Sequence, residues 1–392
     1  MGRPCIMLVA GEPSGDALGA ALGRALRERL GEELRLVGIG GARMAKEGMV
    51  SPFDIRGLAV LGIFDALRAY PAVLRGARQA AALARRERPD AVILIDSWGF
   101  TLRVAHRLGR LDPRPLLIKY VAPQVWATRP GRARTLARAV DRVLSIHSFD
   151  APFFEPEGLP VTFVGNPAAA RDVSKADAAR LRSSIGAKLD DPLLLILPGS
   201  RPSEINRLMG PFETAVNLLL AQRPTLRVVI AAAEAVAPAV KALAAGWSHR
   251  VHVVEGDEAR FDAMAAATVA LACSGTVTTE LAVAGCPMVV AYRLGPLTYL
   301  IAQRLIRTPH ITLLNVAAGA RIVPEMVQKD CQGAALAREV ALRLDNAMLR
   351  GRQIAAQTAA LEVMRGGIDD PIGAAADAVV ELLRARRPIA SA

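Results

Sequence analysis

The run LACSGTVTTELAVAGCPMVV, residues 271–290, contains a strand, a turn, a helix and the start of another strand. TVALACSG (268–275) is apolar until it reaches Ser274-Gly275-Thr276. A helical stretch, Val277 to Ala284, follows, and PMVVAYR (287–293) returns to β-rich sequence. Short apolar runs bounded by small turn residues read as strands buried on both faces. A helix between two of them reads as a parallel βαβ crossover.

The same alternation extends upstream. LLLILPGSR (193–201), LRVVIAAA (226–233) and VHVVEG (251–256) precede the quoted run. The N-terminal half repeats the scheme with CIMLVA (5–10), LRLVGIG (34–40), AVILID (91–96), PLLIKYVAP (115–123), DRVLSI (141–146) and VTFVG (161–165), and its first helix is expected over Asp16–Leu30. Between the halves, residues 166–192 are polar, broken by Asn166-Pro167 and Asp191-Pro192. Beyond Pro324 the pattern predicts helix to the end. The expected fold class is therefore α/β: two Rossmann-like, doubly wound parallel-sheet domains facing a cleft. The expected boundaries are 1–165 and 166–365, with C-terminal helices 366–392 completing the first domain.

Composition narrows the function. At 392 residues, with a hydrophobic share of 52%, the chain is long enough for two cores. Lys and Arg outnumber Asp and Glu by 49 to 37, a formal +12 that favours anionic partners. Aromatic residues do not interleave with the basic ones, and zinc-type Cys/His spacing is absent, so nucleic acid is not an expected partner. Cys5, Cys273, Cys286 and Cys331 are scattered, which implies no disulfide framework and fits a reducing compartment. Residues 5–10 are too short for a signal peptide's apolar region, and no run reaches membrane-spanning length. A cytoplasmic protein is expected. The basic stretch 57–86, with Arg68, Arg75, Arg78, Arg85 and Arg86, reads as a helix with a solvated face or as a membrane-surface patch.

The chemistry-bearing residues sit where strands end, the place at which open α/β sheets bind ligands. In LVAGEPSGDALG (8–19), Gly11 and Gly15 permit close backbone approach and Ser14 is a candidate helix cap. The turn lacks GxGxxG, which disfavours a dehydrogenase. Asp96 closes an apolar strand, either as a general base toward a bound hydroxyl or as an N-cap for the helix from about Trp98. In LILPGSRPSEI (195–205), helix-start amides, Ser200 and the Arg201 fork make a phosphate site; alternatively Glu204 pairs with Arg201 or Arg207. Ser274, Gly275 and Thr276 repeat that design, and Glu280, four residues after Thr276, can accept two ribose hydroxyls. His147 ends its strand as a lone histidine. Asn315, Gly319 and Glu325 carry a weak signal, with Glu325 expected to open a helix.

Taken together these stretches resemble the lipid-A-disaccharide synthase family of inverting GT-B glycosyltransferases. The matching motifs are Gly11-Glu12-x-Ser14-Gly15-Asp16, GLAVLGI (57–63), Tyr120-Val121 with VWA (125–127), LPGSR (197–201), SGTVTTE (274–280), CPMVVAYR (286–293) and the trio Asn315, Gly319 and Glu325. They run in family order from residue 8 to 328. The resemblance implies transfer of 2,3-diacylglucosamine from its UDP ester to 2,3-diacylglucosamine 1-phosphate, giving a β-1,6 disaccharide 1-phosphate and UDP, without metal or cofactor. It implies a catalytic set of Asp96, Arg201 and Asn315, with UDP held by Ser200, Arg201, Ser274, Gly275, Thr276 and Glu280. The acceptor is implied near Glu12, Ser14, Gly15 and Asp16. Family members are peripheral on the cytoplasmic face of the inner membrane, and some are homodimers. The sequence departs from the family pattern at Ser97-Trp98-Gly99-Phe100-Thr101, at Ala122-Pro123-Gln124 and at Asn166. The competing readings are another UDP-sugar enzyme of this architecture, an N-acetylglucosaminyltransferase or a 2-epimerase, and a non-catalytic basic membrane-surface protein.

Overall fold

A computed structural model describes residues 3–58 and 63–386. Residues 59–62 of the GLAVLGI motif and 387–392 of the expected helical tail lie outside the described residues. Among the described residues the chain forms two compact units. The first comprises residues 3–167, 305–307 and 366–386, and the second comprises 168–304 and 308–365.

In the first unit six apolar runs become strands: β1 (Cys5–Ala10), β2 (Arg35–Ile39), β3 (Ala91–Ile95), β4 (Leu116–Tyr120), β5 (Arg142–Ser145) and β6 (Val161–Phe163). All pair in parallel, in the order β2-β1-β3-β4-β5-β6. The two-residue period of a strand sends Met7 and Val9 to one face, against Val73, Ala77, Ala80 and Ala84 of the helix Ile63–Glu87. Ile6, Leu8 and Ala10 go to the other face. There they meet Leu22 and Leu26 of the helix Pro13–Leu30, and Ala375, Val379 and Leu383 of the helix Pro371–Arg386. Both faces are buried, and each fully buried aliphatic side chain contributes roughly 1.5–3 kcal/mol relative to exposure.

The second unit repeats the plan with β7 (Leu193–Leu197), β8 (Arg227–Ala232), β9 (His252–Glu255), β10 (Val269–Cys273), β11 (Met288–Tyr292) and β12 (Glu325–Val327). Their order is β12-β11-β10-β7-β8-β9, again parallel throughout. Leu194 and Ile196 of β7 pack beneath Phe212 and Val216, while Leu193, Leu195 and Leu197 face the opposite core around Leu281 and Leu361. The four cysteines are buried and free.

Each sheet reverses its direction of winding once. From β1 the chain adds β2 on one side and then β3 on the other; from β7 it adds β8 and β9 and then β10 on the other side. In such folds ligands usually sit outside the strands' carboxyl ends at a reversal of this kind.

Two expectations are corrected. Glu325 does not open a helix: Glu325–Val327 is the edge strand β12, paired to β11 through Val290↔Glu325 and Tyr292↔Val327. Three residues give too little periodicity to announce a strand, and β11 supplies the pairing that local sequence does not show. The first helix begins at Pro13 rather than near Asp16. Proline is favoured at a helix's first position, which leaves Ser14 inside the first turn and exposed instead of capping it.

Candidate functional site

The reversal point of the first sheet brings together the loops after β1 and β3. Gly11 is needed for that approach, since a Cβ there would stand 2.8 Å from Ser97 Oγ and 2.9 Å from a Phe100 ring carbon. Asp96 and Ser97 follow β3 with φ of 46° and 42°, two consecutive non-glycine residues in left-handed conformation. Such residues cost about 1–2 kcal/mol each unless the surroundings hold them. Asp96 is half-buried, and Ser97 precedes the helix Trp98–Leu108 without a side-chain cap bond. The Asp96 N–H donates to Tyr120 O at 3.0 Å. Thr101 Oγ1 lies 2.8 Å from Asp96 O and 3.0 Å from Ser97 O. Lys119, on β4, donates its ammonium to Asp96 O and to Thr101 Oγ1, the latter at 3.0 Å.

Lys119 was missed in the sequence, although a lysine inside the apolar run LLIKY is itself a signal. It is 2% exposed. Burial lowers its pKa to about 8, while the negative charges of Asp96 and then Glu12 act to raise it. Glu12 is half-buried beside this group and Ser14 is exposed. Gly15 and Asp16, by contrast, are buried and face inward. Asp16 Oδ1 accepts the N–H groups of Gly41 (2.7 Å) and Met44 (3.0 Å), and Oδ2 accepts that of Arg43 (3.0 Å). Asp16 thus caps the helix Ala42–Lys46 from the neighbouring helix. A Cβ at Gly15 would lie 3.3 Å from the Ala10 Cβ, so this glycine seats its helix on the sheet.

Beyond β5 lies a buried polar group that sequence reading also overlooked. Asp150 is 1% exposed, its Oδ2 is 2.5 Å from Ser145 Oγ, and Ser145 Oγ accepts the His147 N–H at 3.0 Å. Burial pushes the Asp150 carboxyl up to about 6, against the hydrogen bond from Ser145. His147 stacks on Phe149 at 5.3 Å, and both rings meet Trp126 edge-on. Burial brings His147 down to about 4, so its imidazole is neutral at pH 7.

At the reversal point of the second sheet, the loops after β7 and β10 leave adjacent strands. Gly199 turns with φ 111°, and a Cβ there would stand 2.4 Å from Glu204 Oε2. Glu204, in the first turn of the helix Pro202–Gln222, folds back over this turn. Its Oε2 accepts the Ser200 N–H at 3.0 Å and its Oε1 accepts Arg201 Nη1 at 3.2 Å. The internal ion pair weighed from the sequence is therefore formed, and a carboxylate already answers the donors assigned to a phosphate. The Arg201 side chain is nonetheless 43% exposed, with further guanidinium donors available to an anion.

Ser274 Oγ donates to Ile311 O at 3.2 Å, and Gly275 and Thr276 are exposed at the start of the helix Thr276–Val283. No side chain caps that start. Glu280, 8% exposed, is held by Arg260 Nη2 at 3.4 Å and Arg171 Nη1 at 3.5 Å. Both guanidinium groups also lie on the Phe261 ring, at 5.2 and 4.7 Å. Burial raises the Glu280 pKa, with Arg260 and Arg171 pulling it back. The two arginines, from the inter-sheet segment and the helix Asp257–Ala266, were not singled out in the sequence because their proximity to Glu280 is purely tertiary.

Asn315 has a structural task. It is fully buried, its amide nitrogen donates to Val323 O and its amide oxygen accepts the Val323 N–H, both at 2.9 Å. Glu325 Oε1 likewise accepts the N–H groups of Ile311 (3.0 Å) and Thr312 (2.8 Å) and the Thr312 hydroxyl (2.8 Å). These two residues fix the segment that receives the Ser274 hydroxyl. Among the described residues no cluster of three or more His, Cys, Asp or Glu is placed to hold a metal ion. Among those same residues no helix is long and apolar enough to cross a membrane.

Known proteins share this fold. In fold, the chain is similar to S. aureus MnaA in its UDP co-structure, with a TM-score of 0.67, 14% identity, and coverage of 98% of this chain and 96% of that one. It is also similar to a glycosyltransferase from Rickettsia africae, with a TM-score of 0.58, 11% identity, and coverage of 98% and 99%. At such identities the likeness concerns the fold, which is GT-B-like. In sequence, the lipid-A-disaccharide synthase of Paramagnetospirillum magneticum is 41% identical over 97% of both chains. That of Rhodospirillum centenum is 39% identical over 97% of this chain and 95% of its own. The family model described as lipid-A-disaccharide synthetase matches residues 6–368, which run from β1 through both sheets. With relatives of matching length and a family pattern spanning both reversal points, the chain belongs to the lipid-A-disaccharide synthetase family.

Proposed function

We propose that the chain transfers 2,3-diacylglucosamine from UDP-2,3-diacylglucosamine to 2,3-diacylglucosamine 1-phosphate, forming a β-1,6-linked disaccharide 1-phosphate and UDP, with inversion and without a metal ion. The observation that carries the reading is the coincidence of motif and topology. Asp96 lies at the reversal point of one sheet, and Arg201 with Ser274–Thr276 at that of the other, in a chain of this family.

In this proposal residues 1–165 with the C-terminal helices bind the acceptor, and residues 166–365 bind the UDP portion of the donor. Asp96 takes the proton of the acceptor 6-hydroxyl as that oxygen forms its bond to the anomeric carbon. The bond from that carbon to the UDP oxygen breaks with its electron pair, through a transition state of oxocarbenium character. Negative charge then grows on the diphosphate. Arg201 and the helix-start amides at Gly275–Thr276, with the Ser200 hydroxyl and the Ser274 hydroxyl once it turns from Ile311 O, stabilise it. Glu280, pinned by Arg171 and Arg260, accepts the ribose hydroxyls. Asn315 serves as a positioning residue through Val323 rather than by touching substrate. The +12 charge supports peripheral attachment to an anionic membrane face, where the acyl chains of both substrates reside. Self-association as a homodimer belongs to the same reading.

The test is to incubate the purified protein with UDP-diacylglucosamine and diacylglucosamine 1-phosphate, with and without chelator, and to follow products by mass spectrometry. A disaccharide 1-phosphate of β configuration, formed equally in chelator, is expected. No disaccharide, or turnover of UDP-N-acetylglucosamine instead, refutes the assignment; loss of product in chelator refutes metal independence.

A further inference from the structure

Lys119 asks for a reason. It lies within the interior strand β4, hydrogen-bonded in register between β3 and β5, where a leucine would pack without desolvating a charge. Its ammonium is aimed at one place, the turn after β3: the main-chain oxygen of Asp96 and the Thr101 hydroxyl that serves the same turn. That turn consists of two consecutive left-handed residues, Asp96 and Ser97, a conformation that L-residues adopt only when held. The charged groups acting on Lys119 are Asp96 and Glu12, both carboxylates and both at the reversal point of the sheet. A buried cation thus clasps the backbone of the one residue whose side chain is assigned to proton removal.

We propose that Lys119 is the positioning residue and counter-charge of Asp96. By holding the Asp96 carbonyl it fixes the left-handed turn and so the direction of the carboxylate, and by its charge it keeps that carboxylate beside a cation. The inference rests on the assignment of Asp96 as the base. Loss of the Lys119 proton at pH above about 8 weakens both effects, so turnover falls on the alkaline side while substrate binding does not.

Three measurements test this. Lys119→Met, close in shape and uncharged, is expected to lower kcat by about 10- to 100-fold with both KM values nearly unchanged, the mark of a misplaced catalytic group. Its kcat is also expected to lack the alkaline decline near pH 8. Independently of activity, NMR titration of protein labelled at lysine with 13C is expected to show one resonance titrating near pH 8 in the parent. That resonance should be absent from Lys119→Met and should titrate at lower pH in Asp96→Asn, where the supporting carboxylate is gone. Should Lys119→Met fail to fold, Thr101→Val removes the hydroxyl shared by the ammonium and the turn, and is expected to lower kcat several-fold with the same KM pattern. Parental kcat and pH profile in the folded variant, or a lysine titration indifferent to Asp96→Asn, overturns the inference. Parental turnover in Asp96→Asn overturns the base assignment and the inference with it. An inactive Asp96→Asn beside an unaltered Lys119→Met overturns the Lys119 role alone.

Discussion

Asp16 offers a direct contest between a ligand-binding and a structural role. Its carboxylate is 5% exposed and accepts three main-chain N–H groups at 2.7–3.0 Å, all at the start of the helix Ala42–Lys46. Replacement by alanine strands those donors unequally. Met44 is buried and its N–H finds no water, whereas Arg43 is exposed and Gly41 half-buried, so their N–H groups rehydrate in part. A hydrogen bond to a charged acceptor is worth about 1.5–3 kcal/mol, and we take the full value for Met44 and a fraction for the others. The expected loss is about 3 kcal/mol. Asp16→Asn keeps the shape but must turn its NH2 toward at least one donor, and should lose about 2 kcal/mol on the same reasoning. Urea unfolding reads the effect: with a slope of about 2–3 kcal/mol per molar, the first unit's midpoint should fall by about 1 M. Acceptor KM at low temperature, where the variant is folded, should not move. An unfolding midpoint at the parental value together with a raised acceptor KM would refute the capping argument and return Asp16 to the acceptor site.

Other expectations follow the same geometry. Arg201→Ala should weaken UDP binding by about 10- to 100-fold in calorimetry, the value of a charge-assisted bond, and Arg201→Lys should recover little because the planar fork is lost. Asn315→Ala removes two buried bonds to Val323 and should lower stability of the second unit by about 2 kcal/mol, with UDP affinity nearly unchanged; a large affinity loss without destabilisation would place Asn315 on the ligand. The Asp150 carboxyl titrates near 6 folded and near 3.8 unfolded, so between those values the folded protein holds the extra proton and stability falls as pH rises. Asp150→Asn should abolish that slope, matching the parent below pH 4 and exceeding it by up to about 3 kcal/mol above pH 6. Parallel stability–pH curves for the two proteins would exclude the effect.

Much of the fold was legible because parallel strands buried on both faces advertise themselves as unbroken apolar runs. CIMLVA, AVILID and TVALACSG each give a strand within a residue or two of its expected end, and LLLILPGSR gives one that stops at Leu197, where its PGSR turn begins. β12 was not legible, since Glu325–Val327 is extended only because β11 offers it partners. At the candidate site the polar residues at strand ends could be read, but not what they touch. Asp16 and Asn315 look like ligand groups in the sequence and spend their hydrogen bonds on main chain. Glu204 could be seen as a partner for Arg201, yet its capture of the Ser200 amide depends on how Gly199 turns. The lysine within LLIKY stands out in the sequence, but the left-handed Asp96–Ser97 turn that its ammonium reaches is a tertiary fact with no local pattern.

The path of the backbone has an implication for biogenesis. The helix Pro371–Arg386 supplies Ala375, Val379 and Leu383 to the core that β1 and the helix Pro13–Leu30 begin. As the ribosome delivers the chain in order, residues 5–30 therefore wait for residues 371–386 before their apolar face is covered, while the whole second unit is made in the interval. Synthesis stalled or truncated before residue 371 would release a normal second unit tethered to a sticky, half-closed first one. C-terminal deletions should thus be read as defects of the amino-terminal half.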